Sequence, residues 1–167
     1  GVDAAEDLRA RVLIVGFGRF AQVVSQPLLA RDVEVSLIEI DTELIRAAGN
    51  FGFKVYYGDG TRLDLLRLAG AADAQLILFC LDGKQFTVEA LGHVREAFPQ
   101  AGIFLRVFDR RAIIALKDAP VSGMFREVFE SAIVMARQAL RAVGVDDGEI
   151  DRSEDDYRRM DAKRLGI

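Results

Sequence analysis

The run Gly16-Phe17-Gly18-Arg19-Phe20-Ala21 concentrates the groups that can hold a phosphate. It follows the apolar stretch Val12-Leu13-Ile14-Val15 and opens a stretch of helical period. In that position Gly16 allows a tight turn and Gly18 lets the backbone approach an anion. Ala21 is small enough for the helix to lie close to a sheet, while the unpaired N–H groups of the helix start face the ligand. A structural turn is the plainer reading of two nearby glycines, and the strand-loop-helix context favours binding over it.

A second feature supports the first. Glu39 lies 21 residues after Gly18, at the end of the next apolar run, where a carboxylate can accept hydrogen bonds from both hydroxyls of a ribose. An acid there disfavours a 2′-phosphate, so the expected ligand is an adenine nucleotide of the AMP or NAD/NADH kind. As a strand-end carboxylate, Glu39 is expected to be solvated and dispensable for folding. Asp41 either shares the ribose or caps a helix beginning at Thr42. The run Gly58-Asp59-Gly60-Thr61 follows a third apolar stretch, where its loop would flank the adenine. Capping of the next helix by Asp59 or Thr61 is compatible with that role. Arg106 either clamps an anion or pairs with Asp109.

Catalytic groups are sparse. The one histidine, His93, sits in a helical pattern between Leu91 and Val94, a placement that suits a structural side chain better than a proton shuttle. The sequence holds no ordered Ser-His-Asp set, no paired zinc ligands and no Walker lysine. Binding without turnover is therefore the expectation, not an enzyme. A small NAD-dependent oxidoreductase is the alternative that the glycine loop and Glu39 would serve equally well, and a purely structural assembly domain is a third.

These residues must be positioned by a regular frame. Strands are expected at 11–15, 34–38, 54–57, 75–79 and 103–107. Helices are expected at 19–30, 42–50, 62–69, 85–98 and 110–117, an alternation typical of parallel sheets covered on both faces. A short strand at 121–125 and a long amphipathic helix at 127–143 follow. The predicted fold is α/β, a Rossmann-type doubly wound parallel sheet with a C-terminal helical arm. Residues 1–10 read as a linker, 11–145 as the nucleotide-binding domain, and 146–167 as a charged arm, helical and exposed or partly disordered.

Composition bounds the reading. The 167 residues are 51% hydrophobic and 29% charged, a balance that suits one compact domain. The net charge of −4 supplies no basic field for nucleic-acid phosphates. Cys80 is the single cysteine and lies in an apolar run, which predicts a buried, inert thiol in a reducing setting. No stretch approaches the roughly 20 apolar residues of a membrane span, and the acidic start, Gly1 to Asp7, is unlike a signal peptide.

Together, the runs from Val12 to Ala21, Glu39-Ile40-Asp41, Gly52 to Thr61 and Glu127-Val128-Phe129-Glu130 resemble the KTN or RCK (TrkA-N type) cytosolic domains that regulate potassium transport. Residues 16–22 and 54–61 are similar to the G-F-G-R-F-x-Q and K-V-x-Y-G-D-x-T runs of Kef-type glutathione-regulated potassium efflux systems, and the resemblance spans residues 11–145. It implies a homodimer that binds AMP or NADH in the Rossmann cleft. It also implies glutathione or its adducts near the subunit interface and a membrane-embedded cation/proton antiporter as the gated partner, with this domain on the cytoplasmic side of the inner cell membrane. Nucleotide contacts are implied for Gly16, Gly18, Arg19, Phe20, Glu39, Asp59 and Thr61, and the interface ligand for Arg19 and Arg106. The helix at 127–143 resembles the family's dimer segment. One departure stands out: the family's R-x-R-D run reads Arg106-Val107-Phe108-Asp109 here, which removes a guanidinium from the expected glutathione site. The chain is either part of a longer transporter or a separate subunit that docks on one.

Overall fold

The computed structural model describes residues 10–81 and 86–166. Six strands, β1 (Arg11–Val15), β2 (Glu34–Glu39), β3 (Lys54–Tyr57), β4 (Leu76–Phe79), β5 (Gly102–Val107) and β6 (Gly123–Arg126), form one sheet in the order β3-β2-β1-β4-β5-β6. The pairings β1 with β2, β2 with β3, β1 with β4 and β4 with β5 are parallel. This is the doubly wound sheet the alternation predicted. The crossovers from β1 build outward through β2 to β3, and the chain then returns to β4 on the other side of β1. The direction of winding thus reverses between β1 and β4, and it is there that sheets of this kind leave a crevice at the carboxyl ends of their strands.

Helices α1 (Arg19–Ala30), α2 (Thr42–Gly49), α3 (Leu63–Leu68), α4 (Val88–Ala97), α5 (Arg110–Ala115), α6 (Phe129–Ala142) and α7 (Asp147–Leu165), with a 3-10 turn at Ala71–Asp73, complete the described elements. The central strands are buried on both faces, as in the continuous burial of Leu13, Ile14 and Val15. A core of Val12, Ile14, Val35, Leu37 and Leu78 from the sheet packs against Ala21 of α1 and Ala48 of α2. Each fully buried aliphatic side chain there contributes roughly 1.5–3 kcal/mol. Cys80 is buried, as its apolar surroundings predicted. Helix α4 starts at Val88, capped by the Thr87 hydroxyl on Ala90 N–H. The expected start at Gln85 falls outside the described residues. Strand β6 begins two residues later than expected and ends at Arg126, and α6 is shorter than its expected 127–143.

The chain divides into two compact units, Gly1–Arg106 with Asp118–Phe125, and Val107–Lys117 with Arg126–Ile167. The division differs from the boundary expected near 145, because the last helix belongs with α5 and α6. Of the two forms expected for the charged arm, helical or partly disordered, the structure has the helical one, the 19-residue helix α7. Asp146 caps its start by accepting from Glu149 N–H, and Gly166 closes its end at φ 77°. Its charges are paired where solvation was expected. Arg137 of α6 bridges Asp151 at 2.8 Å and Glu154 at 2.9 Å, Arg141 reaches Asp147 at 3.1 Å, and Arg158 of α7 returns to Glu130 of α6 at 2.6 Å. Arg126 forms a two-pronged pair with the buried Asp161 and lies 3.6 Å from the centre of the Phe129 ring.

Candidate nucleotide site

At the carboxyl end of β1, Gly16 turns the chain with φ +92°, a conformation that side chains rarely adopt. Its surroundings also require glycine, because a Cβ there would stand 2.9 Å from the Cys80 carbonyl oxygen and 3.1 Å from Leu81 Cα. Gly16 N–H donates to the Ile38 carbonyl at 2.9 Å, which ties the loop to β2. Gly18 is the extended N-cap residue of α1 and offers no side-chain cap. The first N–H groups of α1 therefore lack carbonyl partners within the helix and present the positive end of its dipole. The exposed Arg19 occupies the first turn and adds a formal positive charge. Ala21 is fully buried against the sheet.

Phe17, part of the run expected to contact the ligand, has only its backbone there to offer. Its ring is fully buried, edge-on to Phe53 at 5.5 Å and to Phe51 at 6.3 Å, so its side chain cannot face a nucleotide. Its backbone is held on both sides: the N–H donates to Glu39 Oε1 at 2.8 Å, and the carbonyl accepts from Gln22 Nε2 at 3.1 Å. The alternation of a loop residue between ligand and core is invisible in a motif.

Glu39 corrects an expectation. Its side chain is 7% exposed instead of solvated. Besides Phe17, its carboxylate accepts from Ile40 N–H at 2.7 Å and Asp41 N–H at 2.9 Å, both through Oε2. The Glu39 carbonyl accepts from Gly58 N–H at 3.1 Å. Three loops, those leaving β1, β2 and β3, thus meet at one residue. A carboxylate has about four acceptor positions, so Oε1, which takes a single N–H among these contacts, keeps capacity for a ribose hydroxyl.

Asp41 takes the capping alternative: its exposed Oδ1 accepts from Glu43 N–H at 2.8 Å and Leu44 N–H at 3.3 Å at the start of α2. Asp59 closes its own turn by accepting from Thr61 N–H at 2.9 Å and the Thr61 hydroxyl at 2.7 Å. Gly60 between them lies so close to β1 that a Cβ would meet Val15 Cγ1 at 2.1 Å, which presses this loop onto the end of the strand carrying the glycine run. The structure therefore brings 16–21, Glu39 and 59–61 together. His93 is exposed on α4 and belongs to none of these loops.

Arg106 is 7% exposed and donates to the Leu81 carbonyl, with its guanidinium 6.0 Å from the Phe20 ring centre. It borders a cavity of about 210 Å³ whose other walls include Phe20, Cys80, Phe104 and Phe125. Asp109, its alternative partner by sequence, caps α5 by accepting from Ala112 N–H at 2.9 Å. Gln22 is the site residue that the chemistry of phosphate binding did not single out, although it stands in the family-like run. Its signal was only that it lies one turn beyond Gly18.

The arrangement can hold an anion at the α1 start, with an acid beside it for a sugar hydroxyl. Residues 12–127 match the TrkA-N domain family. Over 98% of its length the chain is 42% identical to the glutathione-regulated potassium-efflux system protein of Haemophilus influenzae, and it spans about a quarter (26%) of that relative. Among solved structures, the Kef C-terminal domain of Shewanella denitrificans in its AMP-bound form is 31% identical with a TM-score of 0.75, over 93% of this chain and 96% of that one. The GsuK RCK domain shares the fold at 19% identity with a TM-score of 0.70, over 83% of this chain and 29% of that one. From its glycine run to the end of its sheet, this chain belongs to the TrkA-N domain family, and it is a homologue of the Kef C-terminal domain.

Proposed function

We propose that this chain is a nucleotide-binding regulatory domain that gates a potassium efflux, cation/proton antiport membrane protein through a ligand-dependent change of a dimer. The observation that carries the reading is the glycine loop at the α1 start, clamped beside Glu39 at the switch point of the sheet. The nucleotide phosphate sits at the N–H groups of 18–20 beside Arg19, a ribose hydroxyl donates to Glu39 Oε1, and the 59–61 loop flanks the adenine. An unphosphorylated 2′-hydroxyl is required next to a carboxylate, which favours AMP or NAD(H) over NADP.

The nucleotide acts by binding two states of the dimer unequally, since only differential affinity shifts a conformational equilibrium. Helix α6 supports the dimer: none of its residues is buried, and Val134 and Met135 are exposed. For glutathione or its adducts, the exposed Arg19 is better placed than Arg106, whose guanidinium is buried and bonded to a carbonyl. Phe108 stands where the family offers a second guanidinium, so this ligand binds more weakly here than nucleotide. Among the described residues no helix is long and apolar enough to cross a membrane. The membrane-embedded antiporter is the partner, and the domain lies on the cytoplasmic side of the inner cell membrane.

Calorimetric titration with AMP, NADH and glutathione, run beside a solution mass determination, tests this reading. Nucleotide binding at about micromolar Kd to a dimer, without turnover of NADH, is the expected result. Absence of binding by both nucleotides would sink it.

A further inference from the structure

Gln22 lies on the first full turn of α1, outside the positions that a phosphate-binding glycine run needs, yet its side chain reaches back over that turn. Its Nε2 donates to the Phe17 carbonyl at 3.1 Å, while its own N–H closes the first helical bond to Gly18 at 2.9 Å. The opposite edge of the Phe17 residue is held by Glu39 Oε1 at 2.8 Å, and the ring beneath is fully buried against Phe53. The residue between the two glycines is thus fixed at its N–H, at its carbonyl and through its side chain. The peptide that joins Phe17 to Gly18 carries the carbonyl that Gln22 holds, and its other end is the Gly18 N–H. Rotation of that peptide would swing the N–H away from the mouth of the loop, and the Gln22 amide opposes this rotation.

We propose that Gln22 is a positioning residue for the phosphate: by holding the Phe17 carbonyl it keeps the Gly18 N–H and the α1 start aimed at the anion before ligand arrives. The proposal rests on the nucleotide reading above and deepens it. A loop already held in its bound shape avoids the ordering cost that a loose loop would meet on binding. The two clamps divide the ligand between them. Glu39 touches both the loop and the ribose, whereas Gln22 acts only on the loop and so only on the phosphate. Removal of the Gln22 donor should therefore weaken a phosphorylated ligand selectively.

The test compares AMP with adenosine on wild type and on Gln22→Met, which keeps the length and volume of the side chain and removes the donor. Affinities are read by calorimetry, with displacement of a fluorescent adenine nucleotide where binding is weak, and thermal denaturation checks the fold. For Gln22→Met, AMP affinity is expected to fall about fivefold, the loss of one neutral hydrogen bond, while adenosine affinity stays unchanged and thermal unfolding stays cooperative with at most a small drop in Tm. Equal losses for both ligands, or no loss for either, overturn the positioning role. A second variant, Gln22→Glu, sets an acceptor against the Phe17 carbonyl and adds negative charge near the phosphate. It should lower AMP affinity further than Gln22→Met and again spare adenosine, and failure to do so also counts against the proposal. If wild type binds neither ligand, it is the nucleotide reading that fails, and the proposal fails with it.

Discussion

Glu39 shows how one side chain can serve two ends. Its carboxylate accepts three backbone N–H groups, from Phe17, Ile40 and Asp41, before any ligand is considered. Replacement by alanine would leave these donors without their acceptor in a buried setting. The expected outcome for Glu39→Ala is a loss of about 2–3 kcal/mol of stability, read by urea unfolding, together with a fall in AMP affinity. A variant with unchanged stability would show that the carboxylate is in fact solvated. Neither the burial nor the Phe17 contact was legible in the sequence, because the partners are 22 residues apart and come together only when β1 and β2 pair. What was legible was position: an acid at the end of the second strand after a glycine run. The turn at Gly16 was legible for a related reason, since a positive φ and a close approach both select the same residue type. The inward turn of the Phe17 ring was not legible, because a motif names positions but does not say on which side of the loop each side chain falls.

At the scale of elements, the α6–α7 pair separates exposed from buried electrostatics. The Arg158–Glu130 bridge is exposed, and bridges of that kind contribute at most about 1 kcal/mol and weaken in salt. Asp161 is different: it is buried, and Arg126 holds its carboxyl below the ordinary value of 3.8, first by hydrogen bonding and then by charge, against the opposing effect of burial. Because the folded value is depressed, the stability from this pair is fully present above the ordinary carboxylate value and is lost as the pH falls through the folded one. Asp161→Ala should destabilise the helical pair by about 3 kcal/mol at neutral pH, since it leaves Arg126 largely buried without its acid. Unfolding followed by far-UV circular dichroism should also show that this difference from wild type shrinks in acid. A difference independent of pH would mean that packing, and not charge, fastens α7. Sequence reading expected 146–167 as an exposed arm, helical or partly disordered, and missed only its ion pairs, because charge density alone cannot tell a pair from a solvated face.

For the whole molecule, the proposed gate needs two copies, and the proposal puts their contact at the exposed apolar side chains of α6. Met135 is 76% exposed, so its replacement should leave the fold intact. Met135→Asp is expected to shift the solution mass from dimer to monomer with an unchanged far-UV circular dichroism spectrum, because a charge buried at an interface is strongly unfavourable. Sedimentation analysis across concentration checks this, and a persistent dimer would place the contact elsewhere.

The sequence by itself determined the order of strands and helices, the doubly wound class, the glycine loop and the family. All of these are set by short-range periodicity or by residue types demanded locally by backbone geometry. Tertiary structure decided which polar groups meet. It buried Glu39 under the glycine loop, sent Phe17 into the core, assigned Asp41 to a helix cap, brought Gln22 over the Phe17 carbonyl and paired Arg126 with an acid 35 residues away. Such contacts depend on distance and orientation in the folded chain, and a linear pattern of residue types carries neither.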